Sequence, residues 1–411
     1  MQEGKESGQK TPRYQTLAIL TYLLFAIGPL VGNAVLVLQG EIASDYGVDA
    51  TLVLTAIPAF MLPFALVQLF SGAMSDIYGR IRLIIPGSIV FAAGLIMMVT
   101  ATTIDVFIWG NVLSGIGFGF VNPVVLALLS DLSTPEEIPR RMGIASALAS
   151  LGAGLGPFFA GLLIAFGWGF YYLIFFIVDI VSLIVISRVK HPSDASPGKS
   201  QFHKFIVNLA SELKKSVVIL MLGATFLVSL IYLGALVWTS RALTGMLSEN
   251  IIGLLLLGAG IAGATAGSQL GRMIRHWGYG RPILIGIMCN FVGLLILILM
   301  GDITQTAAIP FLAVALVAIG WAGGLLFPMS ISFSQLISPE RRGVLAGVVT
   351  SSFFFGSAFI LNVYEPLYNI GIQAVYLEMV AIAIILGFLF YILNRNVSPL
   401  TVHANINHGD L

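Results

Sequence analysis

Two carboxylates stand where a carboxylate is hardest to keep. Asp179 lies in Ile177-Val178-Asp179-Ile180, near the middle of an apolar run, and Glu378 lies in another such run 199 residues later. An ionised group at membrane depth costs about 3 kcal/mol or more unless paired or hydrated. A carboxyl can escape that cost by binding a proton, so both are candidates to carry one. The alternative is a neutral acid hydrogen-bonded to a neighbouring helix, with a structural role alone. A second pair has opposite signs. Glu41 follows Gln39-Gly40, Arg241 follows Thr239-Ser240, and the offset is 200. They can form an ion pair that closes an outer gate, or each can be a solvated loop charge.

Other chemistry is missing. There is no His-Glu-x-x-His run, no Ser/His or Asp/Asp constellation and no P-loop, so neither an enzyme nor an ATP-driven pump is expected. No metal site or cofactor is expected either. The single cysteine, Cys289, sits in an apolar run and reads as a small packing residue. A net charge of +1 argues against a nucleic-acid partner.

The elements that must hold these residues follow from composition. Hydrophobic residues make up 58% of the 411 and charged residues 9%, against about 25% charged in soluble domains. A bilayer is the matching solvent. Apolar runs of about 20 residues, the length that spans one, occur at about 16–38, 51–74, 83–101, 106–130, 142–165, 169–187, 216–239, 251–271, 282–300, 307–333, 343–363 and 371–393. That predicts twelve helices. Strand-like alternation is absent, which excludes a β-barrel. The first run is too long for a signal-peptide core and no small-residue cleavage site follows it.

Basic residues orient the spans. With the N-terminus inside, the cytoplasmic segments hold Lys5, Lys10 and Arg13; Arg80 and Arg82; Arg140 and Arg141; Arg188, Lys190, Lys199, Lys204, Lys214 and Lys215; Arg272, Arg275 and Arg281; Arg341 and Arg342; and Arg395. Arg241 alone falls outside. Both termini are therefore expected in the cytoplasm, and the short loops point to a prokaryotic inner membrane. Residues 190–215 form a longer linker. Within it Phe202, Phe205, Ile206, Leu209 and Leu213 share a helical face beside Lys204, Lys214 and Lys215, as in an amphipathic helix on the membrane surface. The expected organisation is a tail at 1–15, a six-helix bundle at 16–189, the linker, a second bundle at 216–393 and a tail at 394–411.

The bundles echo each other. Gly72 and Gly79 recur as Gly271 and Gly278. Pro135-Glu136 with Arg140-Arg141 and Gly143 is matched by Pro339-Glu340-Arg341-Arg342-Gly343, and Asn122-Pro123 by Phe327-Pro328. Such a duplication places a solute site at the interface of the halves, near mid-membrane.

On these motifs the chain resembles the major facilitator superfamily over nearly its whole length. The most specific element is Gly72-x-x-x-Asp76-x-x-Gly79-Arg80-x-Arg82. Gly72 would permit close helix packing and Gly79 a tight turn. Asp76 can pair with Arg80 or sit against the positive end of span eleven. The resemblance implies that this cluster, with Asp131 at the end of span four, latches the outward-facing state. Gly152-Ala-Gly154-Leu-Gly156-Pro157, continued to Gly161, resembles the span-five motif of the drug:proton antiporter branch. Pro157 would kink that span, whereas span eleven has Ser357 at the equivalent place. One departure stands out. Proton-coupled exporters of this kind usually carry an arginine in span four, where this chain has Asn111, four residues before Gly115.

The resemblance implies an all-α membrane fold of two pseudo-symmetric bundles, with spans six and twelve peripheral and spans one, four, seven and ten lining a cavity flanked by two, five, eight and eleven. Candidate lining residues are then Tyr22, Phe25 and Asn33; Gln68; Asn111, Phe118 and Asn122; Phe226, Tyr232 and Trp238; Trp321 and Phe327; and Phe354 and Asn362. An aromatic, amide-rich set suits a neutral or amphipathic solute better than a phosphate or dicarboxylate. The expected function is secondary active transport by alternating access, as proton-coupled export of hydrophobic or amphipathic small molecules, by a monomer whose partners are solute, proton and lipid. Facilitated transport or import of a neutral metabolite such as a sugar is the first alternative. A membrane receptor or scaffold that does not transport is the second.

Overall fold

The computed structural model describes residues 12–134, 137–188, 199–300, 308–338 and 341–406. The Pro135-Glu136 and Pro339-Glu340 turns, the linker segment 189–198 and most of the N-terminal tail lie outside them. Twelve helices are long and apolar enough to cross a bilayer. In chain order they are span one Thr16–Tyr46, two Ala50–Tyr78, three Arg80–Val99, four Ile104–Asp131, five Arg140–Phe166, six Trp168–Arg188, seven Ser216–Leu243, eight Glu249–Trp277, nine Gly280–Met300, ten Ile309–Ile337, eleven Gly343–Tyr368 and twelve Ile372–Val397. The last helix runs on to Ile406, into the segment expected to be a tail. An even number of spans puts both chain ends on one side. We call that the near face, and the opposite one the far face.

The duplication is visible in the packing. Span three packs on four, two on four, one on five and three on six. Nine on ten, eight on ten, seven on eleven and nine on twelve repeat those contacts six spans later. The halves meet where one touches seven, two touches eleven and five touches eight. Helices in lipid gain nothing from hiding apolar surface from one another, so they associate by close backbone contact at small residues. A methyl group at Gly115 of span four would collide with the Phe60 carbonyl of span two. One at Gly320 of span ten would collide with the Ala259 carbonyl of span eight. Large apolar side chains such as Ile177, Leu284, Leu299 and Phe388 point outward, as a lipid-facing surface requires.

Span eleven departs from expectation. Span five runs as one helix through Pro157, from Ile138 to Leu163. Span eleven, which lacks that proline, is the one that breaks. Its helices are Arg342–Ala358 and Ile360–Tyr368, with Phe359 donating its N–H to the Gly356 carbonyl at 3.1 Å. A Gly-Ser pair, Gly356-Ser357, precedes the break, and such pairs loosen helices. The linker helix spans Lys199–Glu212. Its predicted apolar face is split: Phe205 and Leu209 are half-buried, whereas Ile206 and Leu213 are exposed, as is the neighbouring Val207. The side chains of Phe202 and Lys204 lie outside the described set.

Candidate functional site

Arg80 organises the near end of the first half. Span two ends at Gly79, whose φ of 96° is left-handed and favours glycine. That turn aims Arg80 back across span two. Its Nε donates to Asp131 Oδ2 at 2.9 Å, its Nη1 donates to Ser75 Oγ at 2.5 Å, and it pairs with Asp76 one turn earlier. Both acids are more than half exposed, so this is a hydrated cluster. Asp76 pairs within its own half. Arg82 is exposed. The expectation for Gly72 fails: a methyl group there would meet no atom within 4 Å, because no helix approaches that point.

Close packing is found instead in span five. Gly152 and Gly156 face span one, against Pro29 and the Leu30 carbonyl. Gly154 and Gly161 face span eight, where a methyl on Gly154 would lie 3.0 Å from Leu257 Cα and 3.1 Å from Gly260 Cα. One on Gly161 would lie 2.7 Å from the Glu249 carbonyl oxygen. From the other side, a methyl on Gly253 would lie 2.9 Å from the Pro157 carbonyl oxygen. Span five is thus wedged between a helix of its own half and a helix of the other.

The far face is tied across the halves, though by a different pair than Glu41 with Arg241. Arg241 Nη2 donates to Asp49 Oδ1 and Oδ2 at 3.2 and 3.1 Å, its Nε donates to Thr51 Oγ1 at 3.0 Å, and its guanidinium lies 5.6 Å from the Tyr368 ring. Glu41 sits on an exposed side of span one. Asp49 also caps the first turn of span two by accepting from the Thr51 N–H at 2.7 Å, which holds it in the path of Arg241. Hydrogen bonds from Thr51, side chain and backbone, and the charge of Arg241 outweigh partial burial and keep the Asp49 carboxyl below its ordinary range. Just beneath, Gln39 Nε2 donates to Ser240 Oγ at 3.3 Å, and Ser240 donates to the Leu36 carbonyl.

Between the two ends, rings meet. Phe118 of span four covers Gly28 and lies 5.2 Å from Phe64, centroid to centroid. Phe64 lies 4.6 Å from Phe354, edge on. Phe354 lies 5.5 Å from Phe353, and Phe353 lies 4.3 Å from Phe327. This ladder runs from span four through two and eleven to ten and joins the halves. Its Phe118, Phe354 and Phe327 come from the predicted set. Phe64 and Phe353 were missed, although one stands a helical turn before Gln68 and the other beside Phe354.

The other candidates scatter. Gln68 is buried with its Nε2 unpartnered. Asn33 and Asn111 donate to carbonyls of their own helices, Pro29 at 2.8 Å and Phe107 at 2.9 Å. The Tyr22 hydroxyl lies 3.4 Å from the Arg141 carbonyl oxygen. Phe25 is buried. Phe226 packs on Phe359, and Tyr232 covers Gly323. Trp238 is buried against Tyr368 with its indole N–H unpartnered. Asn122 and Trp321 are partly buried and Asn362 is exposed. Asp179 is buried between spans six and three beside Ser88, with Oδ2 lacking a hydrogen-bond partner. Glu378 Oε2 and the Tyr364 hydroxyl near it are likewise unpartnered.

Two repeated six-span halves, tied at one face and meeting through small residues and rings, form the architecture of a membrane transporter. The family model of the Major Facilitator Superfamily matches residues 17–360, and the chain belongs to that family. Among curated relatives it is 24% identical to the chloramphenicol resistance protein CraA of Acinetobacter baumannii, over 82% of this chain and 83% of that one. It is 30% identical to multidrug resistance protein 2 of Bacillus subtilis over 27% of this chain and 28% of that one. Among solved structures, a point mutant of the nucleoside transporter NupG aligns with a TM-score of 0.74 at 12% identity, covering 93% of this chain and 99% of that one. An inward-facing, unoccupied bacterial homologue of the human lysosomal transporter Spinster aligns at 0.66 and 16% identity, covering 95% and 99%. These two share the fold.

Proposed function

We propose that this transporter exports neutral or amphipathic small molecules in exchange for protons, by alternating access between the two halves, at 16–189 and 216–393. One observation carries the reading. On spans one, two, four, five, seven, eight, ten and eleven, ionisable acids and bases stand only towards the helix ends, and the halves meet through the phenylalanine ladder, with Gln68 buried one turn from Phe64. A site of rings and amides favours an uncharged or amphipathic solute. The resistance named in several relatives supports efflux of drug-like compounds. Asp179 and Glu378 are the proposed proton carriers, since each holds a buried carboxylate oxygen without a partner. Near-face arginines and lysines support a cytoplasmic near face in an inner membrane. The Arg80 cluster is proposed as the latch there and the Arg241–Asp49 contact as the far gate, in a protein working as a monomer.

The test uses everted membrane vesicles and chloramphenicol as probe. Energised vesicles should accumulate it, a protonophore should abolish accumulation, and Asp179→Asn or Glu378→Gln should uncouple flux from the pH gradient. Flux indifferent to the gradient would replace export with facilitation. No flux of any compound in a broad panel would favour a receptor.

A further inference from the structure

Glu212, the last residue of the linker helix, has no part in the transport scheme above, yet it is 1% exposed although it lies outside the spans. Its Oε1 accepts from Lys215 Nζ and from Arg341 Nη1, each at 2.9 Å, and its Oε2 accepts from Ser338 Oγ at 2.8 Å. Lys215 Nζ also donates to Ser338 Oγ at 2.8 Å, and Arg341 donates to Ser211 on the linker helix itself. Desolvation would raise the Glu212 pKa, but hydrogen bonds from Lys215 and Ser338 and the charges of Lys215 and Arg341 win and lower it. The carboxylate is therefore ionised and its partners are in place. Lys215 and Arg341 are themselves 46% and 35% exposed, so the group the cluster shields from water is the carboxylate.

Ser338 and Arg341 flank the turn between spans ten and eleven, so this cluster fastens the linker helix to the second half. The first half needs no such help, because Asp76 and Asp131 supply the acids for Arg80. At the corresponding positions, 199 and 205 residues on, the second half has Arg275 and Leu336. The linker contributes an acid at the near end of the second half, where neither of those two positions carries one. The same helix also packs against span two of the first half and against span eleven.

We propose that the linker helix is a strap carried by the second half: Glu212 pins it to the turn between spans ten and eleven, and its contact with span two is made when the near face closes and broken when it opens. The second clause rests on the alternating-access reading. The first does not.

Spin labels on the full-length chain separate the two. Starting from Cys289→Ala, labels are placed pairwise at Val207 on the linker helix, Trp277 in the second half and Thr134 in the first, all exposed. Distances are read at acidic and alkaline pH, with and without chloramphenicol. The Val207–Trp277 distance should stay single and constant while Val207–Thr134 changes in step with Trp277–Thr134. Glu212→Gln, and separately Arg341→Gln, should broaden Val207–Trp277. Each should also raise amide exchange across residues 205–213 by about tenfold, the factor for one lost charged hydrogen bond. Val207–Trp277 distances as narrow in both variants as in the parent overturn the proposal, as does a linker helix that keeps its distance to Thr134 and moves from Trp277. A Trp277–Thr134 distance that never changes sinks alternating access, and the pinning is then decided by the two variants alone.

Discussion

Removing Arg241 should open the far face, and the structure gives the size of the effect. Arg241 is 17% exposed and Asp49 67%, so their ion pair is a surface pair worth about 0.5–1 kcal/mol. The hydrogen bond to Thr51 at 3.0 Å adds about 1 kcal/mol. The cation–ring contact with Tyr368 at 5.6 Å lies within the second half, so it positions Arg241 and adds nothing to the tie between the halves. Arg241→Gln should therefore cost the far-closed state roughly 1.5–2 kcal/mol, a shift of about 10- to 30-fold in its ratio to the far-open state. Asp49→Asn keeps the helix cap and loses only the ion pair, so it should cost under about 1 kcal/mol, a factor of about five or less. Glu41→Gln should do nothing. Spin labels at Ser44 and Met246, exposed positions at the far ends of spans one and seven, read the opening directly in a Cys289→Ala background. In the double variant, Asp49→Asn should add nothing to Arg241→Gln, because its partner is already gone. A distance distribution that shifts as far with Glu41→Gln as with Arg241→Gln refutes the reasoning, and so does an Arg241→Gln protein that stays closed.

Three further outcomes are expected. Gly154→Ala and Gly260→Ala each force the span-five and span-eight backbones apart and should cost about 1–3 kcal/mol in thermal unfolding, whereas Gly143→Ala, with open space at its Cα, should stay within about 0.5 kcal/mol; equal effects at all three would be inconsistent with the packing. Gly79→Ala places a side chain at φ 96° and should cost about 1–2 kcal/mol, measured by the same melts, together with weaker coupling between Arg80 and Asp131 in a double-mutant cycle. The Asp49 carboxyl is depressed in the folded state, so its contribution to far-face closure is complete above the ordinary carboxylate pKa, about 3.9, and is lost only as pH falls through its lowered value. The Ser44–Met246 distance should accordingly hold from neutral pH down to about pH 4, and loosening near neutrality would point to another group.

The number of spans was legible in the sequence because bilayer thickness sets the length of an apolar helix. The duplication was legible too, since Gly72 and Gly79 recur at one offset, and Gly79 announced its turn because few other residues adopt that backbone. Rotation of each helix was not legible. A soluble helix shows its buried face by where its apolar residues fall, but a span that is apolar all round has no such stripe. Gly72 and Gly154 therefore look alike as text, and only the packed bundle shows one beside open space and the other against Leu257 and Gly260. The offset along the chain matches Arg241 with Glu41, and only the start of span two shows that Asp49 is the acid within its reach. The phenylalanine ladder needed four spans to converge, and Glu212 needed the turn between spans ten and eleven to fold over it. Spacing along the chain, read against the bilayer, set which segments are helices and how they repeat. Contacts between helices, made at small residues with no hydrophobic pattern to announce them, decided which side chains meet.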